Sequence, residues 1–335
     1  MYPNPVPLDK VRGMLMGAFL GDALGAPHEF RGNKDHYTGL LQYKTRMYTQ
    51  FQGTKELAIG QITDDSELCL TLLRQMVKDG GYNKDNVTLA YLRWANSNVW
   101  MMGKNTRALL KGVTTLKGYQ GRMKKMRETT GPSQSNGAMM RCSPLALLWD
   151  NNPVLDDVNI TNPDSVCYDC NVCYISAIRF ALQGMSGPEI FNNVKGMAQT
   201  DEVRAVMTQV EKKEFRNMVG EQTPTGFKKT KGWCLHGLYC AMMSIISFQN
   251  YHDAIDWVIS SQPGSDTDTN ACIAGALLGA MFGFETMQRD SITGQNIEIL
   301  LHADIANGPT PRPAEYTPHD FYELTEAAHR LTLKK

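Results

Sequence analysis

Thr63-Asp64-Asp65 and Asp266-Thr267-Asp268-Thr269 stand about two hundred residues apart, each directly ahead of an apolar, helix-patterned run. Brought together, four carboxylates and several hydroxyls offer only oxygen donors. Hard divalent cations such as Mg²⁺, Mn²⁺ or Ca²⁺ take such a set, whereas Zn²⁺ and copper sites generally do not use it alone. Four aspartates also balance the charge of two divalent ions. The same residue types start helices, because Thr and Asp side chains accept the free N–H groups and suit the positive end of the macrodipole. A shared site therefore requires the fold to bring two distant helix starts together.

The rest of the chain must supply that fold. Hydrophobic residues make up 42% and charged residues 20%, with Lys+Arg and Asp+Glu both at 34, so no net charge recruits nucleic acid or an anionic membrane. The opening MYPNPVPLDK has no apolar stretch behind a basic start, and the longest apolar run, 271–284, is about fourteen residues. A soluble, cytoplasmic monomer is expected. If the acidic clusters meet, one domain over 1–335 is favoured.

The eight cysteines mostly lie in apolar helical patterns, so reduced thiols are expected. Cys167, Cys170 and Cys173 form a CxxCxxC run that could suggest an iron–sulfur cluster, but position 177 is alanine, and a spacing of three is also one face of a helix.

A 3.6-residue period runs through 11–26, 66–78, 86–97, 106–113, 138–148, 165–183, 188–197, 202–218, 232–247, 251–260, 269–284 and 321–333, so the chain is expected to be all-α. Residues 40–52, rich in aromatic and β-compatible side chains, suggest a small hairpin or extended loop. Joints are expected at 118–137, 151–164, 221–232 and 262–268. Glycine recurs at every fourth position in two helices, at 13, 17, 21 and 25 and at 275, 279 and 283. Because glycine weakens a helix, such stripes point to close backbone approach between two central helices. One of these helices opens with Asp266–Thr269.

Four segments, GAFLGDALGAPHEF (17–30), ITDDSELCL (62–70), SNGAMMRCSPLAL (135–147) and GSDTDTNACIAGALLGAMFG (264–283), closely resemble the signatures of the ADP-ribosylglycohydrolase family. The resemblance extends over nearly the whole chain. It implies a single compact all-α domain with a di-metal cleft holding two Mg²⁺, replaceable by Mn²⁺, and removal of ADP-ribose from a modified protein or small conjugate. On it, Thr63, Asp64 and Asp65 align with the first metal-binding triplet and Asp266, Asp268 and Thr269 with the second, leaving Thr267 outside. Glu29 matches a glutamate that touches the metals or substrate, and Glu29 with Asp65 is assigned to the attacking water. Ser133, Gln134, Ser135, Asn136 and Gly137 resemble the loop that cradles the diphosphate and ribose. Asn162 replaces the histidine of a Thr-His-Pro-Asp element, and Trp233 falls where members place an apolar or aromatic residue near the substrate.

Trp100-Met101-Met102-Gly103 lacks the acid that some members carry before this glycine, so an acceptor other than arginine is expected. The basic residues Arg122, Lys124, Lys125 and Arg127 suit a solvated loop. The competing reading is a non-catalytic ADP-ribose reader or crystallin-like structural protein, against which four retained, mutually repelling carboxylates argue. A two-metal phosphohydrolase would share the ligand chemistry.

Overall fold

The computed structural model describes residues 2–30, 37–42, 45–49, 53–213, 231–261 and 265–333. Among them are fifteen α-helices: α1 (Leu8–Gly25), α2 (Asp64–Asp79), α3 (Lys84–Ala95), α4 (Lys104–Leu110), α5 (Leu116–Thr129), α6 (Asn152–Thr161), α7 (Ser165–Leu182), α8 (Gly187–Lys195), α9 (Asp201–Glu211), α10 (Cys234–Ser247), α11 (Tyr251–Ser260), α12 (Thr267–Phe282), α13 (Phe284–Arg289), α14 (Ser291–Leu301) and α15 (Phe321–His329). One antiparallel hairpin, β1 (Thr45–Thr49) with β2 (Gly53–Leu57), pairs Thr45 with Leu57 and Thr49 with Gly53.

At the centre lie α1 and α12, antiparallel and buried on nearly every side. Gly13 faces Gly279, Gly17 faces Gly275, Gly21 faces Ala271 and Gly25 faces Asp268. A Cβ added at any of these four α1 glycines would fall within 3.0 Å of backbone atoms of the α12 segment. The stripes thus do what their spacing predicts: they remove the side chains that would hold two helix backbones apart. Two tyrosines fasten the pair from outside, Tyr251 Oη donating to the Gly17 carbonyl (2.7 Å) and Tyr174 Oη to that of Ile273 (2.8 Å). Because the helices run antiparallel, the last turn of α1 ends beside the first turn of α12, where Asp268 sits.

The observed elements depart from the expected ones where glycine and proline mislead. Residues 138–148 form no α-helix but two 3₁₀ turns, Asn136–Ala138 and Ser143–Leu147. Pro144 lacks an N–H, and its ring would collide with the carbonyl four residues back. The joint expected at 118–137 is instead largely α5, whose Thr115 side chain accepts the Gly118 N–H (3.2 Å). The joint expected at 151–164 is largely α6, with its proline in the first turn, where the missing N–H costs nothing. The hairpin reaches beyond 40–52 to Leu57, and positions 43–44 and 50–52 lie outside the described residues, as do 214–218 of the helix expected to 218 and parts of the joints at 221–232 and 262–268. Cys167, Cys170 and Cys173 are buried along α7. No described helix is long and apolar enough to cross a membrane.

Candidate metal and substrate site

The end of α1 and the starts of α2 and α12 meet at one point. Thr63 and Asp266 hold the N-cap positions of α2 and α12, yet neither side chain caps its helix. An acid from α1 does that work for α2. Asp22, on α1, accepts the backbone N–H groups of Thr63 (2.9 Å) and Ser66 (3.1 Å) and the Thr63 hydroxyl (2.7 Å). Thr63 also donates toward Asp65 (3.2 Å). The threonine and aspartates therefore do not serve as ordinary local caps, and their oxygens are left facing one another.

Two carboxylate triads result. Oxygens of Asp22, Asp65 and Asp268 lie within 4.8 Å of one another, and so do oxygens of Glu29, Asp266 and Asp268. Asp268 belongs to both triads, and in the first it meets Asp65, so the two clusters two hundred residues apart come together there. Asp64 stands beside them, accepting the Gly103 N–H (3.3 Å). Thr269 hydrogen-bonds toward Asp65 and Asp266. Thr267 turns away, to the backbone carbonyls of His28 (3.4 Å) and Ser265 (3.3 Å). Glu29 is half-buried at the end of the 3₁₀ turn that follows α1. The next residue, Phe30, takes a left-handed conformation (φ 54°) and donates its N–H to Ser265 (2.9 Å), tying this turn to the segment ahead of α12.

Burial and crowding govern the charges. Desolvation, then the neighbouring acids Asp22, Asp266 and Glu67, push the Asp64 carboxyl up to about 7. The same two causes raise Asp65, Asp268 and Glu29 well above the usual carboxylate range, with burial the larger. Oδ1 of Asp65 is buried without a hydrogen-bond partner. An all-oxygen donor set, repelling charges and an orphaned carboxylate oxygen together fit a divalent cation.

The loop 133–137 is held against this cluster by a lattice of bonds. Its backbone pairs with 232–234 through Asn136 N–H to Gly232 (2.8 Å) and Cys234 N–H to Gln134 (3.1 Å), while Trp233 Nε1 donates to the Gln134 side chain (3.1 Å). The Asn136 amide donates to Asp266 (2.8 Å), linking loop to carboxylate directly. Asn162 is fully buried, and its amide donates to Ser133 O (2.9 Å), Ser135 O (3.0 Å) and Ser135 Oγ (3.0 Å). It ties the loop down through these three bonds. Asn162→Ala is expected to destabilise the protein by about 1–2 kcal/mol, the cost of leaving buried carbonyls unpaired. Urea unfolding reads this; an unaltered midpoint would mean the loop does not depend on Asn162.

Several supporting residues were not anticipated. Asp22 had only one signal, an acid amid the apolar, glycine-striped α1. Arg141, fully buried, donates to the Gly137 carbonyl (2.6 Å) and pairs with Asp157 (3.0 Å). Arg312 pairs with Glu67, one turn beyond Asp64, through Nε (2.7 Å) and Nη2 (2.8 Å), and Trp94 donates to the same carboxylate (2.7 Å). These bonds fix the first turn of α2.

The comparisons agree with this architecture. A chain described as an ADP-ribosylglycohydrolase-related protein complex shares the fold with a TM-score of 0.67 at 18% identity, over 97% of this chain and 98% of that one. The ADP-ribosyl-[dinitrogen reductase] glycohydrolase of Rhodospirillum rubrum is 25% identical over 294 residues, 83% of this chain and 87% of that protein. The ADP-ribosylarginine hydrolase Tri1 of Pseudomonas putida (strain GB-1) is 24% identical over 294 residues, 84% of this chain and 72% of its own length. The ADP-ribosylglycohydrolase family model matches residues 3–308, and the chain belongs to that family of hydrolases.

Proposed function

We propose that the protein, acting as one domain over 1–335, is a Mg²⁺-dependent hydrolase that cleaves the glycosidic bond at the terminal ribose of an ADP-ribosylated side chain or small acceptor. The observation that carries this reading is the pair of carboxylate triads joined through Asp268 at the loop 133–137. Thr63, Asp64, Asp65, Asp266, Asp268 and Thr269 would hold the ions, and Asp22 joins them through its triad with Asp65 and Asp268. Two divalent ions, when bound, supply Lewis-acid orientation of ribose hydroxyls and a water of lowered pKa.

The protein's own groups do the rest. The loop 133–137, with Gly137 and the small side chains of Ser133 and Ser135, would admit the diphosphate closely, and Trp233 braces it through Gln134. Water adds its oxygen to the anomeric carbon as the bond to the acceptor breaks, and charge of oxocarbenium type develops between the two events. Either Glu29 or Asp65 takes the water's proton. The acceptor atom leaves with the bonding pair and receives the proton returned by that carboxyl. Burial and the neighbouring acids raise both carboxyls well above the usual carboxylate range, which makes them better proton acceptors than ordinary carboxylates.

Met101 stands two residues before the Gly103 N–H that touches Asp64, and it is buried in an apolar cluster with Trp100. Buried apolar groups give no counter-charge to a guanidinium, which favours a neutral acceptor linkage over the arginine linkage named for Tri1. Comparing arginine-linked, serine-linked and O-acetylated ADP-ribose tests this, and fastest cleavage of the arginine linkage by a wide margin would refute it.

Incubation with an ADP-ribosylated peptide and with free ADP-ribose separates the activities: released ADP-ribose supports the proposal, AMP would indicate a phosphohydrolase, and no product would indicate a binding protein. EDTA is expected to abolish turnover and Mg²⁺ or Mn²⁺ to restore it, with the helical circular dichroism preserved throughout. Undiminished turnover after exhaustive chelation would remove the metal from the account.

A further inference from the structure

Residues 86–127 contain nine Lys or Arg and no Asp or Glu, although the two charge classes are equal over the whole chain. Four of the nine, Lys117, Lys124, Lys125 and Arg127, lie exposed on α5, whose only buried side chains are Tyr119 and Met123. The basic run expected to be a solvated loop is thus an ordered helix with a cationic outer face. Lys124 is 78% exposed and keeps only a 3.9 Å pair with Glu128. Beside it, between α3, α5 and α6, runs a groove of about 570 Å³ lined by Leu116, Tyr119 and Met123 and edged by Lys124 and Arg127.

The C-terminal end of this face stands close to the cleft. Thr129 ends α5, and Ser133 of the loop 133–137 follows four residues later, a span of at most about 14 Å. We propose that the α5 face and its groove dock an acidic segment of the ADP-ribosylated protein, positioning the modified side chain over the carboxylate triads. The inference rests on the ADP-ribosyl hydrolase reading for its substrate. An acidic peptide with apolar side chains fits better than a nucleic acid, because the groove has an apolar lining that apolar side chains would fill and a phosphate backbone would not.

Replacing Lys117, Lys124, Lys125 and Arg127 together with Gln tests this without touching the cleft. Fluorescence anisotropy with a labelled Glu/Leu-rich peptide should show binding that weakens with salt, and the variant should lose about tenfold in affinity. On an ADP-ribosylated peptide with the same acidic flank, kcat/KM should fall by a similar factor, while a small ADP-ribose conjugate is cleaved unchanged. Equal peptide affinity in both proteins would overturn the proposal, as would a DNA duplex binding the wild type more tightly than the peptide does. If neither substrate is cleaved at all, the hydrolase reading fails, while the anisotropy still decides whether the face binds acidic protein.

Discussion

Asp268→Asn is expected to lower turnover by about a thousand-fold, since it is the one carboxylate common to both triads and a metal's electrostatic contribution is worth several kcal/mol. The fold should survive and, without metal, gain stability. The reason is proton linkage. Asp268, Asp65 and Glu29 have folded-state pKa values raised well above those of the unfolded chain, and Asp64 is raised to about 7. The folded protein therefore binds more protons than the unfolded one, and these groups lower stability as pH rises from about 4 through neutrality. Removing one charge should flatten that decline, and added Mg²⁺ should flatten it in the wild type. Thermal melts of metal-free protein across this range are the check. A wild type whose metal-free stability rises steadily to neutral pH, parallel to the variant, would show that the carboxylates do not repel one another as the geometry requires.

Gly17→Ala is expected to cost about 3 kcal/mol or more, the upper end of overpacking penalties, because the new methyl meets the Gly275 backbone rather than a side chain that could swing aside. Since α1 and α12 carry Asp22 and Asp268 into the site, a variant that still folds should also lose cation affinity. Gly121→Ala provides the contrast. This glycine lies within α5 with nothing within 4 Å of an added Cβ, and alanine there should stabilise by up to about 1 kcal/mol. Chemical denaturation of both variants measures the difference; equal effects would mean that helix propensity, not close approach, explains the stripe.

That stripe shows what could be read from the chain itself. A glycine at every fourth position carries its geometry within one helix, and so do the two acidic starts, which allowed the central pair and its cargo of carboxylates to be anticipated. Asp22 was harder, because one acid in an apolar helix does not reveal that its partners are backbone N–H groups of Thr63 and Ser66. Arg141 with Asp157, Arg312 with Glu67 and Asn136 with Asp266 are fixed only by tertiary contact, the last two pairs across more than a hundred residues. Local signals also misled where context overrode them. Gly118 and Gly121 sit inside α5, and the proline that reads as a break begins α6. Pro144, embedded in an apolar run, does end the helical pattern. The difference lies in position within a helix, which residue type alone does not give.

The most direct test of the shared site is anomalous diffraction from crystals soaked in Mn²⁺. The expected result is Mn²⁺ density at about 2.2 Å from an Asp268 carboxylate oxygen, with further ligands from Asp22 and Asp65 or from Glu29 and Asp266. Crystals that take up saturating Mn²⁺ only elsewhere, leaving both triads without density, would contradict the account.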